Sequence, residues 1–138
     1  MKRRNFFQGM GLTALFSGFL SQEALAKNTR MKDCSLEKGE VQHMVIFNLS
    51  YPQGSADAEK FLADGTRILT GIPVVRNFQA FKQVSDKNDY QYGFSMVFSN
   101  REDYTTYNNH PDHVAFVQDR WLKEVTEFLE IDFQQPDQ

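Results

Sequence analysis

Two of the three histidines in this 138-residue chain lie in one short stretch, Tyr107-Asn108-Asn109-His110-Pro111-Asp112-His113. An imidazole titrates near neutral pH and can take a proton from a substrate, so His113 is a candidate general base. The hydroxyl of Tyr107 can orient or polarise a carbonyl oxygen at the same centre. The same two residues also read as a partly buried histidine closing a helix against a sheet, beside a core tyrosine with a satisfied hydroxyl. Pro111 has no amide proton and suits the first turn of a helix, so one helix must end before it and another start there. His110 falls at that joint, where a side chain can cap free backbone groups. A metal site on His110 and His113 lacks an obvious third ligand, because Asp112 points elsewhere on the helix, and no metal is expected. There is no Gly-rich phosphate loop and no serine in a nucleophile-elbow setting, so no cofactor is expected either.

The elements that must position this stretch follow from hydrophobic periodicity. Glu40 to Ser50 alternates cleanly, with Val41, His43, Val45, Phe47 and Leu49 on one side, and predicts the first strand. Ser55 can cap a helix in which Ala58, Phe61, Leu62, Gly65, Ile68, Leu69 and Ile72 form one stripe, stopped by Gly71 and Pro73. Val75 to Val84 and Tyr90 to Phe98 predict two further strands around a turn at Ser85-Asp86-Lys87-Asn88. Ser99 to Glu102 has the spacing of a capping box and opens a short helix ending near Asn109. Another helix runs from Pro111 to about Thr126, and Phe128 to Phe133 is the last strand.

The order β-α-β-β-α-α-β predicts an α+β, ferredoxin-like sandwich with its helices on one face of an antiparallel sheet. The aromatic faces of the first and third strands should look toward the helices. The other face should carry Met44, Ile46, Phe81, Val97 and Phe128, too apolar to leave in water. A few hundred Å² there, at about 25 cal/mol per Å², is worth several kcal/mol, and a two-fold homodimer packed sheet to sheet would cover it. His43 and Tyr92 lie on the strand faces that look at the helices, where Tyr107 and His113 could also point. Four polar tips in an aromatic layer suggest a cavity for a small apolar or aromatic ligand.

The N-terminus reads as a leader. Lys2-Arg3-Arg4 is a positive start, Gly9 to Leu20 is an apolar stretch too short to span a bilayer, and Ala24-Leu25-Ala26 is a cleavage signal. Arg3-Arg4-Asn5-Phe6-Phe7 resembles the twin-arginine export motif, which implies a bacterial, periplasmic protein with no stable membrane anchor after cleavage. The expected organisation is a signal peptide at 1–26, a polar linker at 27–39 and one domain at 40–135. Without the leader the chain has 12 Lys and Arg against 17 Asp and Glu, a net charge of about −5. That balance argues against a nucleic-acid partner and against an anionic membrane surface. Cys34 is the sole cysteine and forms no intrachain disulfide.

Residues 40 to 133 resemble the stress-responsive dimeric α/β-barrel domain family. The resemblance rests on the early His43 in a strand running on through Met44-Val45-Ile46-Phe47, on Ile72-Pro73, on Phe98-Ser99, on Tyr107-x-x-His110-Pro111-x-His113, and on Ile131-Asp132-Phe133. Val74 departs from the glycine often found after the proline. The resemblance implies a homodimer whose two sheets close into a barrel. The family includes plant olivetolic acid cyclase, and by motif its reacting tyrosine and histidine match Tyr107 and His113. Its strand-one cavity histidine matches His43, and its strand-three histidine is replaced here by Tyr92. Two functions follow as expectations. One is cofactor-free acid–base chemistry, cyclase-like, on a small apolar or aromatic ligand. The other is a non-catalytic stress-response or assembly module whose role is the dimer itself.

Overall fold

The computed structural model describes residues 35–137. The expected leader at 1–26, most of the linker, and Cys34 lie outside the described residues. Four strands form one antiparallel sheet in the order β2-β3-β1-β4: β1 Val41–Leu49, β2 Arg76–Lys82, β3 Tyr92–Phe98 and β4 Val125–Phe133. Helices α1 (Ala56–Thr70), α2 (Arg101–Asn109) and α3 (Pro111–Phe116) cover one face. The chain after α3 continues through a π-helical turn, Val117–Trp121, and a last helical turn, α4 (Leu122–Glu124). This is the ferredoxin-like α+β fold read from the sequence. No helix among the described residues is long and apolar enough to cross a membrane.

The period-two pattern of β1 is realised residue by residue. Val41, His43, Val45, Phe47 and Leu49 are buried against the helices, and the residues between them are half-buried on the open face. β3, also internal, is buried on both sides along its whole length, and its open face carries Gly93, Ser95 and Val97 between the side chains of β2 and β1. The core is aromatic. The ring of Phe47 sits 5.0 Å from Phe94, 5.9 Å from Phe61 and 4.9 Å from Trp121. Each such ring withdraws about 150–250 Å² from water, which lets a short chain build an adequate core.

Local capping behaves as expected at α1, where Ser55 Oγ accepts from the Ala58 amide and Asp57 and Glu59 occupy the first turn. At α2 the expectation is corrected. Asn100, not Ser99, is the cap, and its side chain accepts from the Asp103 amide at 2.8 Å. Ser99 Oγ accepts from Arg76 instead, at 3.1 Å, and so ties β2 to the start of α2.

Two more corrections concern the last strand. It begins at Val125 rather than Phe128, directly after α4, because it pairs with β1 from Gln42 through Leu49. The pairing Phe47↔Phe128, Val45↔Glu130 and His43↔Asp132 then puts Phe128 on the helix side, not on the open face. Phe128 packs edge-on against Trp121 at 5.7 Å. Its place on the open face is taken by Leu129, Ile131 and Phe133, whose partners on β1 are Ile46, Met44 and Gln42.

Candidate functional site

The joint at Pro111 brings the opening motif together. His110 is extended (φ −66°, ψ 134°), its amide donates to the Tyr107 carbonyl at 3.0 Å, and its Nδ1 accepts from the Asp112 amide at 3.2 Å. His110 thus ends α2 and caps α3, the structural part read from the sequence. The bend sets Tyr107, in the last turn of α2, beside His113, in the first turn of α3, with ring centroids 4.2 Å apart.

Across the layer, β1 presents His43, whose ring centre is 6.0 Å from that of Tyr107. His43, Tyr107 and His113 all line one cavity of about 240 Å³, together with Trp121, Phe128 and Glu130. Leu69 and Phe116 add apolar wall. An apolar protein cavity of about 150 Å³ holds a benzene, so this one has room for a substituted single ring. The π-helical turn supplies Val117 and Trp121 to the wall, and such turns recur at functional sites. A wider groove of about 340 Å³ lies between α1 and α3, but Arg120, on its wall, is committed to Asp64 and Glu124.

The electrostatics assign protonation states. Nδ1 of His113 lies 3.2 Å from the Asn108 carbonyl, which can only accept, so Nδ1 carries the proton and Nε2 keeps its lone pair. Burial pushes the His113 pKa down, which favours this neutral, basic form at pH 7. Burial, reinforced by the negative charge of Glu130, pushes the Tyr107 pKa well up, so its hydroxyl stays a donor. Tyr107 is only 3% exposed, but its hydroxyl is not sealed in: it makes no hydrogen bond to protein among the described residues and opens onto the cavity. A polar group left so on a cavity wall is available to a ligand.

His43 is 4% exposed and its Nδ1 lies 2.7 Å from Oδ1 of Asp132. The carboxylate accepts, so the proton sits on Nδ1. The Tyr104 hydroxyl reaches Oδ2 of Asp132 at 3.0 Å and Oε1 of Glu130 at 3.3 Å. Burial and the bond to Asp132 push the Tyr104 pKa up, keeping it a donor to both carboxylates. Glu130, Asp132 and Tyr104 are functional candidates that the sequence reading missed. The available signal was the alternation Phe128-x-Glu130-x-Asp132, which in isolation reads as a solvated strand edge.

Tyr92 is not brought to this cavity. It is 2% exposed, its ring packs 6.0 Å from Phe47, and its hydroxyl accepts from the Gly54 amide at 2.8 Å. Three β1 residues separate its partner Phe47 from His43, so three polar tips converge rather than four.

A ferredoxin-like sandwich with a small cavity walled by histidine, tyrosine and aromatic rings defines the class of protein. The family is shown as well. The model of the stress-responsive A/B barrel domain matches residues 41–135, and the chain belongs to that family. The chain is similar to a protein of this family with a ferredoxin-like fold from Mesorhizobium loti, at 46% identity and a TM-score of 0.71, covering 72% of this chain and 100% of that one. It shares its fold with a dimeric protein of unknown function from Bacteroides fragilis (19% identity, TM-score 0.57, 71% of this chain and 98% of that one). It also shares it with a cofactor-independent oxygenase from Streptomyces nogalater (12% identity, TM-score 0.57, 72% of this chain and 96% of that one). No curated protein matches the chain.

Proposed function

We propose that this protein binds a small, largely apolar single-ring compound bearing a carbonyl or phenolic oxygen, and carries out cofactor-free acid–base chemistry on it. One observation carries the reading. Tyr107, whose hydroxyl bonds no protein group among the described residues, and His113, whose pKa burial lowers, line one cavity with rings 4.2 Å apart. Tyr107 donates to the ligand's oxygen and polarises it. His113 Nε2 takes a proton from the adjacent carbon or hydroxyl. His43, held by Asp132, lines the cavity and orients the ligand. The cofactor-independent oxygenase of like fold lends support to cofactor-free chemistry in such a sandwich.

The working unit in this reading is an exported, periplasmic homodimer. The open sheet face supports the dimer, with Phe81 44%, Leu129 47% and Phe133 50% exposed beside Met44 and Ile46. Export rests on the twin-arginine-like leader. Light scattering of the protein at micromolar concentration should give twice the chain mass, and a monomer would remove the dimer from the proposal. Fractionation of cells expressing the full chain should place it in the periplasm, and arginine-pair substitution should abolish that.

Trp121 is the sole tryptophan and lines the cavity. Its fluorescence should change saturably with members of a panel of phenols and aromatic β-keto compounds. The response should be lost or weakened about tenfold in Tyr107→Phe and His113→Ala, the scale of one buried hydrogen bond. A panel that leaves the fluorescence untouched, or a response undiminished in both variants, would sink the proposal.

A further inference from the structure

We infer that His43, Glu130 and Asp132 form a binding site for a divalent transition-metal cation at the edge of the cavity. Nδ1 of His43 lies 2.7 Å from Oδ1 of Asp132 and 3.8 Å from Oε1 of Glu130. One ligand atom from each of the three residues lies within 4.8 Å of the others. Ligands at about 2.0–2.2 Å from a zinc ion stand about 3.3–3.6 Å apart in a tetrahedron, so the three already bracket the required spacing. The histidine is fixed by burial in β1, while the two carboxylates are 45% and 39% exposed and can turn about their side-chain bonds to close the remaining gap.

A second observation points the same way. Glu130 and Asp132 project from one face of β4 toward the same tyrosine, and neither makes an ion pair with a lysine or arginine among the described residues. Arg101 shares a groove with Asp132 but donates to Gln134 at 3.2 Å. Two adjacent carboxylates are held instead by Nδ1 of His43 and by the Tyr104 hydroxyl. A divalent cation would balance both carboxylates at once, which no lysine or arginine among the described residues does. Tyr104 then becomes the outer group that orients both carboxylates, as hydrogen-bonded partners of metal ligands commonly do.

The donor set selects the metal. One imidazole nitrogen with two carboxylates suits zinc, manganese or ferrous iron, and falls short of the six or more oxygens calcium prefers. Three protein ligands leave a coordination position for water. The cation takes the place of the proton on Nδ1, so His43 must carry its proton on Nε2 and changes from acceptor to donor there. Sequence spacing hid the site because its ligands come from the first and last strands.

The inference does not rest on the acid–base reading of the cavity, and its test needs no substrate. Full-length, untagged protein freed of metal by chelation is titrated with zinc chloride by calorimetry, and with cobalt chloride while the visible absorption is followed. One zinc per chain is expected. Asp132→Asn and Glu130→Gln, which keep shape and lose charge, should each weaken binding by at least about tenfold. His110→Asn, at a histidine outside the cavity lining, should leave binding unchanged, and circular dichroism checks that each variant is folded. Absence of binding at millimolar zinc would overturn the proposal. So would binding unaffected by both β4 variants, or abolished by His110→Asn, or matched by magnesium.

Discussion

Tyr107→Phe separates a site tyrosine from a core tyrosine. The substitution deletes one oxygen and leaves the ring packed between Phe98 at 5.0 Å, His43 at 6.0 Å and His113 at 4.2 Å. A buried hydroxyl that is hydrogen-bonded within the fold contributes about 0.5–1.5 kcal/mol, and one without a partner costs about 1–3 kcal/mol. The Tyr107 hydroxyl bonds no protein group among the described residues but opens onto the cavity, so it does not bear the full cost. Water in the cavity relieves part of the cost, so the variant should gain between zero and about 1 kcal/mol of stability. In a domain of this size that is a rise in melting midpoint of at most about 4–8 °C. Urea unfolding followed by circular dichroism at pH 7 measures it, with the probe response of Trp121 recorded on the same samples. A variant that is as stable as the parent but binds about tenfold more weakly is the signature of a functional hydroxyl. A stability loss above about 1 kcal/mol would refute the reasoning, because it would show that the fold itself uses the hydroxyl.

Three further outcomes are expected. Gly65→Ala in α1 gains about 1 kcal/mol of helix propensity, but its Cβ would stand 2.9 Å from Cζ of Phe94 and 3.2 Å from Cζ of Phe116. Overpacking of that kind costs about 1–3 kcal/mol, so a net loss of about 1 kcal/mol is expected in urea unfolding, and a stabilised variant would contradict the packing. His113 has its pKa lowered by burial, so as pH falls through its ordinary value of 6.5 the unfolded chain takes up the proton first and the native state loses stability. The melting midpoint of the parent should therefore drop more between pH 8 and pH 5 than that of His113→Gln, and parallel curves would contradict the shift. Asp64 is held far below the carboxylate range by hydrogen bonds from Lys60 and then Arg120. Its stabilisation is present above its ordinary pKa of 3.8 and is lost as acid approaches the depressed native value, so the gap in urea midpoint between parent and Asp64→Asn should narrow below that pH.

The sequence by itself determined the element order, the fold and the family. Each rests on information local in the chain. Alternation in β1 needs only neighbours two apart, the stripe of α1 only neighbours three and four apart, and the break at Pro111 only the missing amide proton. The roles of His110 as a joint and of Ser55 as a cap were legible for the same reason. Where two local signals competed, the sequence could not arbitrate, as at Ser99 and Asn100, because the choice was made by Arg76 on another strand.

Tertiary structure alone decided which polar groups meet. The register of β4 against β1 turned Phe128 inward and placed Asp132 on His43, and a strand shifted by one residue would have turned both to the other face. Tyr92 shares a face with His43 but sits at the far end of the layer, bonded to Gly54. Periodicity assigns a face and says nothing of distance along it. The stretch around Pro111 announced Tyr107 and His113, while the carboxylates opposite came from a strand that pairs with β1 only once the chain has closed.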